Sequence, residues 1–253
     1  MSKVLIKLPR KVLVEELGRE VMLGSFEKHL IKDPSKDFSS SKGQISATEL
    51  SAKPHRFKLN KEEYITLEAD FLDKYKSLRR LAQIITLKDI GRIITLLGLT
   101  DTSIVVEAGS GSGAFSKYIA PLVKHIHSYE INDDHLAVAK ENCQDYSNIT
   151  FYKQDIYESV GEHQADAFLL DVPDPSKALS SVAKALRIGG RAVIYAPNLT
   201  QTQSAVLHLP ENLLYEQTIQ LTEVDWEVKE RILRPRMQGL GHTAFLTLVR
   251  KLP

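Results

Sequence analysis

Cysteine is nearly missing from this chain: one residue, Cys143, stands in 253. That excludes an intramolecular disulfide and a cysteine-ligated zinc site, and it fits a reducing, cytoplasmic setting. Long apolar runs are missing too, since none reaches the roughly 18–20 residues needed to cross a bilayer. The first twenty residues, MSKVLIKLPRKVLVEELGRE, carry charges throughout, so no secretory signal is expected there. Internal repeats and low-complexity tracts are absent. Net charge is close to nil at +1, which taken alone argues against a nucleic-acid partner. The distribution reads differently. Residues 1–60 hold 12 Lys/Arg against 7 Asp/Glu and residues 226–253 hold 6 against 2, whereas 61–225 holds 15 against 23. An acidic body with basic ends can bind a polyanion through those ends.

What is present is an ordinary globular composition, 43% hydrophobic and 26% charged, long enough for one large domain and a small one. Residues 1–66 read as a small β-rich domain: Val4–Ile6, Val12–Val14, Val21–Leu23, His55–Leu59 and Tyr64–Leu67 are punctuated by Gly18, Gly24, Asp33-Pro34 and Lys42-Gly43. The polar stretch from Asp33 to Ser41 reads as a mobile loop. Residues 67–98 read as a helical linker, with apolar spacing at Phe71, Leu72, Tyr75 and Leu78 and again at Ile90, Ile93, Ile94 and Leu97. From 99 to 253 strands and helices alternate. Strands are expected near 103–108, 125–130, 148–153, 166–171, 190–196, 214–221 and 243–250, and helices near 114–122, 133–143, 175–187 and 200–208. This pattern predicts a Rossmann-like α/β fold with a mostly parallel seven-stranded sheet. The charged segment Thr222 to His242 shows no helix, so the last strand is expected to run antiparallel.

The most informative stretch is Val105-Val106-Glu107-Ala108-Gly109-Ser110-Gly111-Ser112-Gly113, followed by a helix. It reads as a strand, a glycine turn and a helix N-terminus, where a nucleotide-type cofactor can approach the backbone closely. Ligands in such sheets sit at the C-terminal strand ends. Those ends carry Glu107, then Glu130 (21 residues after Gly109, suited to ribose hydroxyls), then Asp155, then Asp171. The glycine spacing alone leaves hydride and methyl transfer both open. Glu107 would repel a pyrophosphate but suits the ammonium of a methionine tail, and Asp171-Val-Pro-Asp-Pro175 has no place in a simple dehydrogenase. S-adenosyl-L-methionine is therefore the expected cofactor. No metal is expected.

Together these motifs resemble the S-adenosylmethionine-dependent tRNA (adenine-N1)-methyltransferases that form 1-methyladenosine in the T-loop, at position 58 and in archaeal members also 57. The resemblance runs over nearly the whole chain: Phe38-Ser-Ser-Ser-Lys-Gly43-Gln-Ile45, Gln83-Ile-Ile with Lys88-Asp89, Glu107 to Gly113, Tyr129-Glu130, Asp155-Ile156, Asp171 to Pro175, Tyr195-Ala-Pro-Asn198 with Gln201 and Gln203, Arg234-Pro-Arg236, and Gly241 to Leu246. It departs at Ser39–Ser41, where the family often has histidines, at Leu81-Ala82, where it is Gly-rich, and at Leu87, where it has proline. The resemblance implies a tRNA substrate and a homotetramer. It places the cofactor against Gln83, residues Glu107 through Gly113 (Ala108, Gly109, Ser110, Gly111 and Ser112 between them), Glu130, His135, Asp155 and Asp171.

Adenine N1 needs alignment and a partner for the positive charge the purine acquires, and a carboxylate beside N1 and N6 meets that need. Asp171 is the catalytic candidate; the competing reading makes it a helix N-cap, a task Asp174 before Pro175 suits better. Tyr195 can stack on the base or be a core tyrosine. Arg234 and Arg236, held extended by Pro235, are candidates for phosphate contacts or a solvated loop. His242 fits a substrate contact or a structural hydrogen bond. Two alternatives stay open: a non-catalytic tRNA-binding subunit, and a methyltransferase acting on a protein or small molecule.

Overall fold

Alternating apolar residues in the first part of the chain build an antiparallel set of short strands. The computed structural model describes residues 2–23, 26–40, 43–158, 160–229, 232–236 and 241–253, without the side chains of 11, 17, 22 and 23. The expected turns at Gly24 and Lys42, and Ser41 and Lys42 of the quoted motif, lie outside the described residues. Two compact units emerge, Met1–Leu78 and Arg79–Pro253.

In the first unit the elements are β1 (Lys3–Lys7), β2 (Arg10–Val14), β3 (Arg19–Leu23), β4 (Glu27–Ile31), β5 (Phe38–Ser40), β6 (Gly43–Ile45), α1 (Ala47–Ser51), β7 (His55–Leu59), β8 (Glu62–Glu68) and α2 (Phe71–Lys76). An antiparallel sheet runs β4-β1-β8-β7, with hairpins β2–β3 and β5–β6 beside it. Leu5, Ile31, Ile45, Leu50 and Tyr64 form its core. The β-rich expectation holds, but β4, β5, β6 and α1 were not foreseen. Strands β5 and β6 are three residues each and carry Ser, Gly and Gln, too short and polar for a period to show. The stretch expected as a mobile loop thus contains β5. Helix α2 starts from an Asp70–Asp73 capping box.

The second unit holds α3 (Leu87–Leu97), β9 (Ile104–Ala108), α4 (Ala114–Ile119), β10 (His125–Glu130), α5 (Asp133–Asn142), β11 (Ile149–Lys153), β12 (Ala165–Leu170), α6 (Leu179–Ala185), β13 (Leu186–Ala196), α7 (Leu199–Leu207), β14 (Leu213–Gln220), β15 (Trp226–Lys229), β16 (Ile232–Pro235) and β17 (Phe245–Lys251). Helix α3 buries Ile90, Ile93 and Leu97 and stops at Gly98, whose left-handed conformation turns its N–H onto the Ile94 carbonyl. The sheet order is β11-β10-β9-β12-β13-β17-β14. Strands β9 to β13 pair in parallel, and β17 runs antiparallel to both neighbours, as expected for the final strand. The strand order reverses between β9 and β12, which opens a crevice at their C-terminal ends.

Two expectations need correction. Strand β13 begins at Leu186 rather than near 190, because Gly189-Gly190, which reads as a turn, lies where the β12–β13 register shifts. Thr222 to His242 is not a plain charged connection: β15 and β16 form an antiparallel hairpin. Its pairs Trp226–Pro235 and Val228–Leu233 share one face, and Trp226, Val228 and Leu233 are 55%, 71% and 74% exposed. Four-residue strands interleaved with charge leave little periodic signal.

Candidate active site

At the strand switch the glycine turn and β12 meet backbone to backbone. The Asp171 N–H donates to the Ala108 carbonyl at 2.9 Å. A Cβ at Gly109 (φ +92°) would stand 1.8 Å from the Asp171 carbonyl oxygen, so only glycine fits. At Gly113 (φ +72°) a Cβ would meet the Ala139 Cα at 2.9 Å, where the start of α4 packs on α5.

The serines of the turn face protein partners. Ser110 Oγ lies 2.5 Å from Ser128 Oγ. Ser128 Oγ donates to Glu107 Oε2 at 2.6 Å, and Ser116 Oγ donates to the same oxygen. Ser112 Oγ accepts the N–H groups of Leu81 (3.1 Å) and Ala82 (3.4 Å). Glu130 spans the next gap: Oε2 accepts from Gly111 N at 2.8 Å and Oε1 from Asn132 N at 2.9 Å. Each oxygen keeps a second lone pair for a ligand hydroxyl. Asn132 also caps α5, its side chain accepting the His135 N–H.

These groups surround a cavity of about 510 Å³, ample for a nucleoside-sized ligand. Of the expected residues, Gln83, Glu107, Gly109, Ser110, Gly111, Ser112, Glu130, His135, Asp155 and Asp171 line it. Ala108 and Gly113 contribute backbone and packing behind the wall. Four carboxylates from the ends of β9, β10, β11 and β12 face one space, with no Lys or Arg among the lining residues. Burial pushes Glu107 up to about 7, its two serine donors pulling the other way. Burial and then the charge of Glu130 push Asp171 up to about 7 as well. The loop carrying Asp171 is pinned twice more: Gln201 Nε2 donates to the Pro173 carbonyl (2.7 Å) and the Asp174 N–H to Tyr157 Oη (3.0 Å). Asp174 stands at the N-cap position before Pro175, where its carboxylate takes the Ser176 hydroxyl and pairs with Lys177.

A family model described as tRNA methyltransferase complex GCD14 subunit matches residues 75–236. The chain belongs to this family. It is 26% identical, over 96% of its length and 95% of the relative's, to the tRNA (adenine(57)-N(1)/adenine(58)-N(1))-methyltransferase TrmI of Methanocaldococcus jannaschii. It is 34% identical to the tRNA (adenine(58)-N(1))-methyltransferase TrmI of Thermus thermophilus over 65% of this chain and 68% of that one. The crystal structure of tRNA (m1A58) methyltransferase TrmI from Aquifex aeolicus shares the fold, with a TM-score of 0.80, 24% identity, and coverage of 99% of this chain and 97% of that one.

The four residues expected to meet substrate do not line the cavity of this GCD14-family methyltransferase. Tyr195, 9% exposed, donates its hydroxyl to Asp89 Oδ2 at 3.1 Å; burial and that carboxylate push the phenol well above its usual range. Asp89 is fully buried and also accepts from Thr86 (2.9 Å) and Lys88 (2.7 Å), and Lys88 Nζ donates on to Thr243. Burial alone would raise the Asp89 carboxyl, but these donors hold it below its ordinary value. His242 sits between the Pro197 carbonyl (Nε2, 2.7 Å) and Gln220 Nε2 (Nδ1, 3.0 Å). Its partner Pro197 lines the cavity. Arg234 closes a fork onto Glu227 and Arg236 follows on the same exposed hairpin. Sequence reasoning gave no role to Ser116, Ser128, Asn142 or the Lys88–Asp89–Thr243 network. Lys88-Asp89 was visible only as part of a motif, and its partners Thr243 and Tyr195 lie over a hundred positions away.

No helix among the described residues is long and apolar enough to cross a membrane, and the described residues hold no cluster fit for a metal.

Proposed function

We propose that this protein transfers the methyl group of S-adenosyl-L-methionine to N1 of an adenine in the tRNA T-loop, at position 58, 57 or both, giving 1-methyladenosine. One observation carries the reading: the cavity at the strand switch is ringed by Glu107, Glu130, Asp155 and Asp171 and has no basic side chain in its lining. Such a wall disfavours a pyrophosphate and suits a nucleoside that carries cationic ammonium and sulfonium groups. When bound, the cofactor supplies a methyl group already activated by the sulfonium. Glu130 is placed for the ribose hydroxyls, Asp155 for the adenine amino group, and Glu107 for the ammonium end. Gln83 and His135 flank the same ligand.

The chain's own contribution is alignment and charge. The target base must leave its stack to reach the cavity. Asp171 then accepts a hydrogen bond from the N6 amino group and stabilises the positive charge that appears as N1 gains the methyl. Its backbone bond to Ala108 holds it beside the glycine turn. Tyr195 and His242 act from behind, fixing the end of β13 and Pro197. Arg234 and Arg236 lie with the basic C-terminal region as phosphate contacts, and the basic first unit is a second candidate for such contacts. The bare apolar face of the β15–β16 hairpin supports a homo-oligomer, for which we propose a tetramer, and a tRNA substrate supports a cytoplasmic enzyme.

The test is labelled methyl transfer to bulk unmodified tRNA followed by nucleoside analysis. The label is expected in 1-methyladenosine. Its absence there, with cofactor binding verified, rejects the assignment.

A further inference from the structure

Residues 79–86 have no regular secondary structure, yet they supply Ala82, Gln83, Ile84 and Ile85 to the cavity wall. Backbone in such a state needs outside partners for its polar groups. Two side chains provide them. Ser112 Oγ takes the N–H groups of Leu81 and Ala82. Asn142, at the end of α5, is only 8% exposed and spends both amide hydrogens on carbonyls, on Arg79 at 2.9 Å and on Ser112 at 2.8 Å. It therefore ties the strap's first carbonyl to the middle of the glycine turn. Ala82 lies over that turn, with its Cβ 3.5 Å from where a Cβ of Gly111 would stand.

We propose that Asn142 is a positioning residue whose amide latches the 79–86 strap over the glycine turn and thereby sets how long the cofactor stays bound. The inference rests on the assignment of S-adenosyl-L-methionine to this cavity. No cofactor atom needs to touch Asn142. Its amide acts through two carbonyls, one in the strap and one in the glycine turn, and a second contact depends on the first: with Arg79 released, the Leu81 and Ala82 N–H groups lose their aim at Ser112. Asn142 is isosteric with aspartate, which offers only acceptors to the same two carbonyls. Aspartate keeps the volume and reverses the interaction, so it separates latching from packing.

The experiment measures release of labelled S-adenosyl-L-methionine after rapid dilution, steady-state KM and kcat, and hydrogen exchange of the Leu81 and Ala82 amides in the cofactor-free protein. In Asn142→Asp and Asn142→Ala, release is expected to quicken about tenfold, equivalent to about 1.4 kcal/mol. KM for the cofactor should rise with it, by more than kcat falls, and the two amides should lose protection while β9 and β12 keep theirs. Ser112→Ala, a small change that leaves its carbonyl in place, should free the same amides. Arg79→Ala removes only an exposed pair with Glu141, keeps the main-chain carbonyl, and should release cofactor at the wild-type rate. Unchanged release and unchanged amide exchange in both Asn142→Asp and Ser112→Ala overturn the latch. Failure of the wild-type protein to bind the cofactor at all overturns the cofactor assignment instead.

Discussion

Asp171 is gripped through its backbone, by Ala108 on one side and by the missing Cβ of Gly109 on the other. The backbone of residue 171 is therefore fixed relative to the glycine turn, which helps the alignment of methyl and acceptor. Asp171→Asn preserves the shape and removes the negative charge. Turnover is expected to fall about 100-fold or more, while cofactor affinity, shared with Glu107, Glu130 and Asp155, drops far less. Retention of near-wild-type turnover would remove Asp171 from the chemistry. In the proposed chemistry Asp171 works ionised, and burial raises its carboxyl to about 7 in the free protein. The rate at low substrate should therefore fall as the pH drops below about 7 and level off above it. Glu107 and Asp171 were legible in sequence because each follows an apolar run directly, and Glu130 because it stands 21 residues after Gly109. The roles of Asn142 and Asp89 were not: Asn142 binds the carbonyls of Arg79 and Ser112, and Asp89 takes the hydroxyl of Tyr195, partners 30 to 106 positions away.

Strands showed most clearly where they are buried on both faces. Strands β9 and β12 read as continuous apolar runs, the expected look of central parallel strands, and their bounds were nearly right. Strand β10 mixes classes. It sends His125, His127 and Tyr129 to one face, where Tyr152 of β11 and His163 of the following loop complete a stack. The His127 and His163 rings lie 3.8 Å apart, Tyr129 Oη bonds His163 Nε2 at 2.6 Å, and Tyr152 Oη bonds His127 Nδ1 at 3.0 Å. Burial, then the neighbouring His163 and His125, press His127 down to about 4. Between that value and its unfolded value near 6.5 the unfolded chain binds the extra proton, so the histidine's stabilising contribution is complete above about 6.5 and is lost as pH falls toward 4. Thermal unfolding of wild type and His127→Phe at pH 7 and pH 5 checks this: wild type should lose ground to the variant on acidification. Parallel shifts would show that the stack does not titrate. Weak elements escaped the sequence for the opposite reason. Strands β5, β6, β15 and β16 run three or four residues, at most two periods of alternation, and take their order from pairing across a hairpin.

Taken whole, the molecule separates its charges: acids face the cofactor cavity, while Lys and Arg gather in the first sixty residues and the last stretch of chain. The two ligands should then answer salt differently. Affinity for tRNA is expected to fall by roughly tenfold or more between 50 and 200 mM salt as phosphate contacts are screened and counterions compete. Cofactor affinity, set in a partly enclosed site, should change much less. Equal salt slopes for the two would count against binding of tRNA through the basic ends. The β15–β16 hairpin adds an optical consequence. Trp226 is the only tryptophan in the chain, and it stands more than half exposed on the hairpin's apolar face. Tryptophan fluorescence of this protein therefore reports on that one face and on nothing else. In the proposed homo-oligomer a second copy covers the ring, so emission should sit to the blue and move to the red on dilution, which would make the assembly readable without a label.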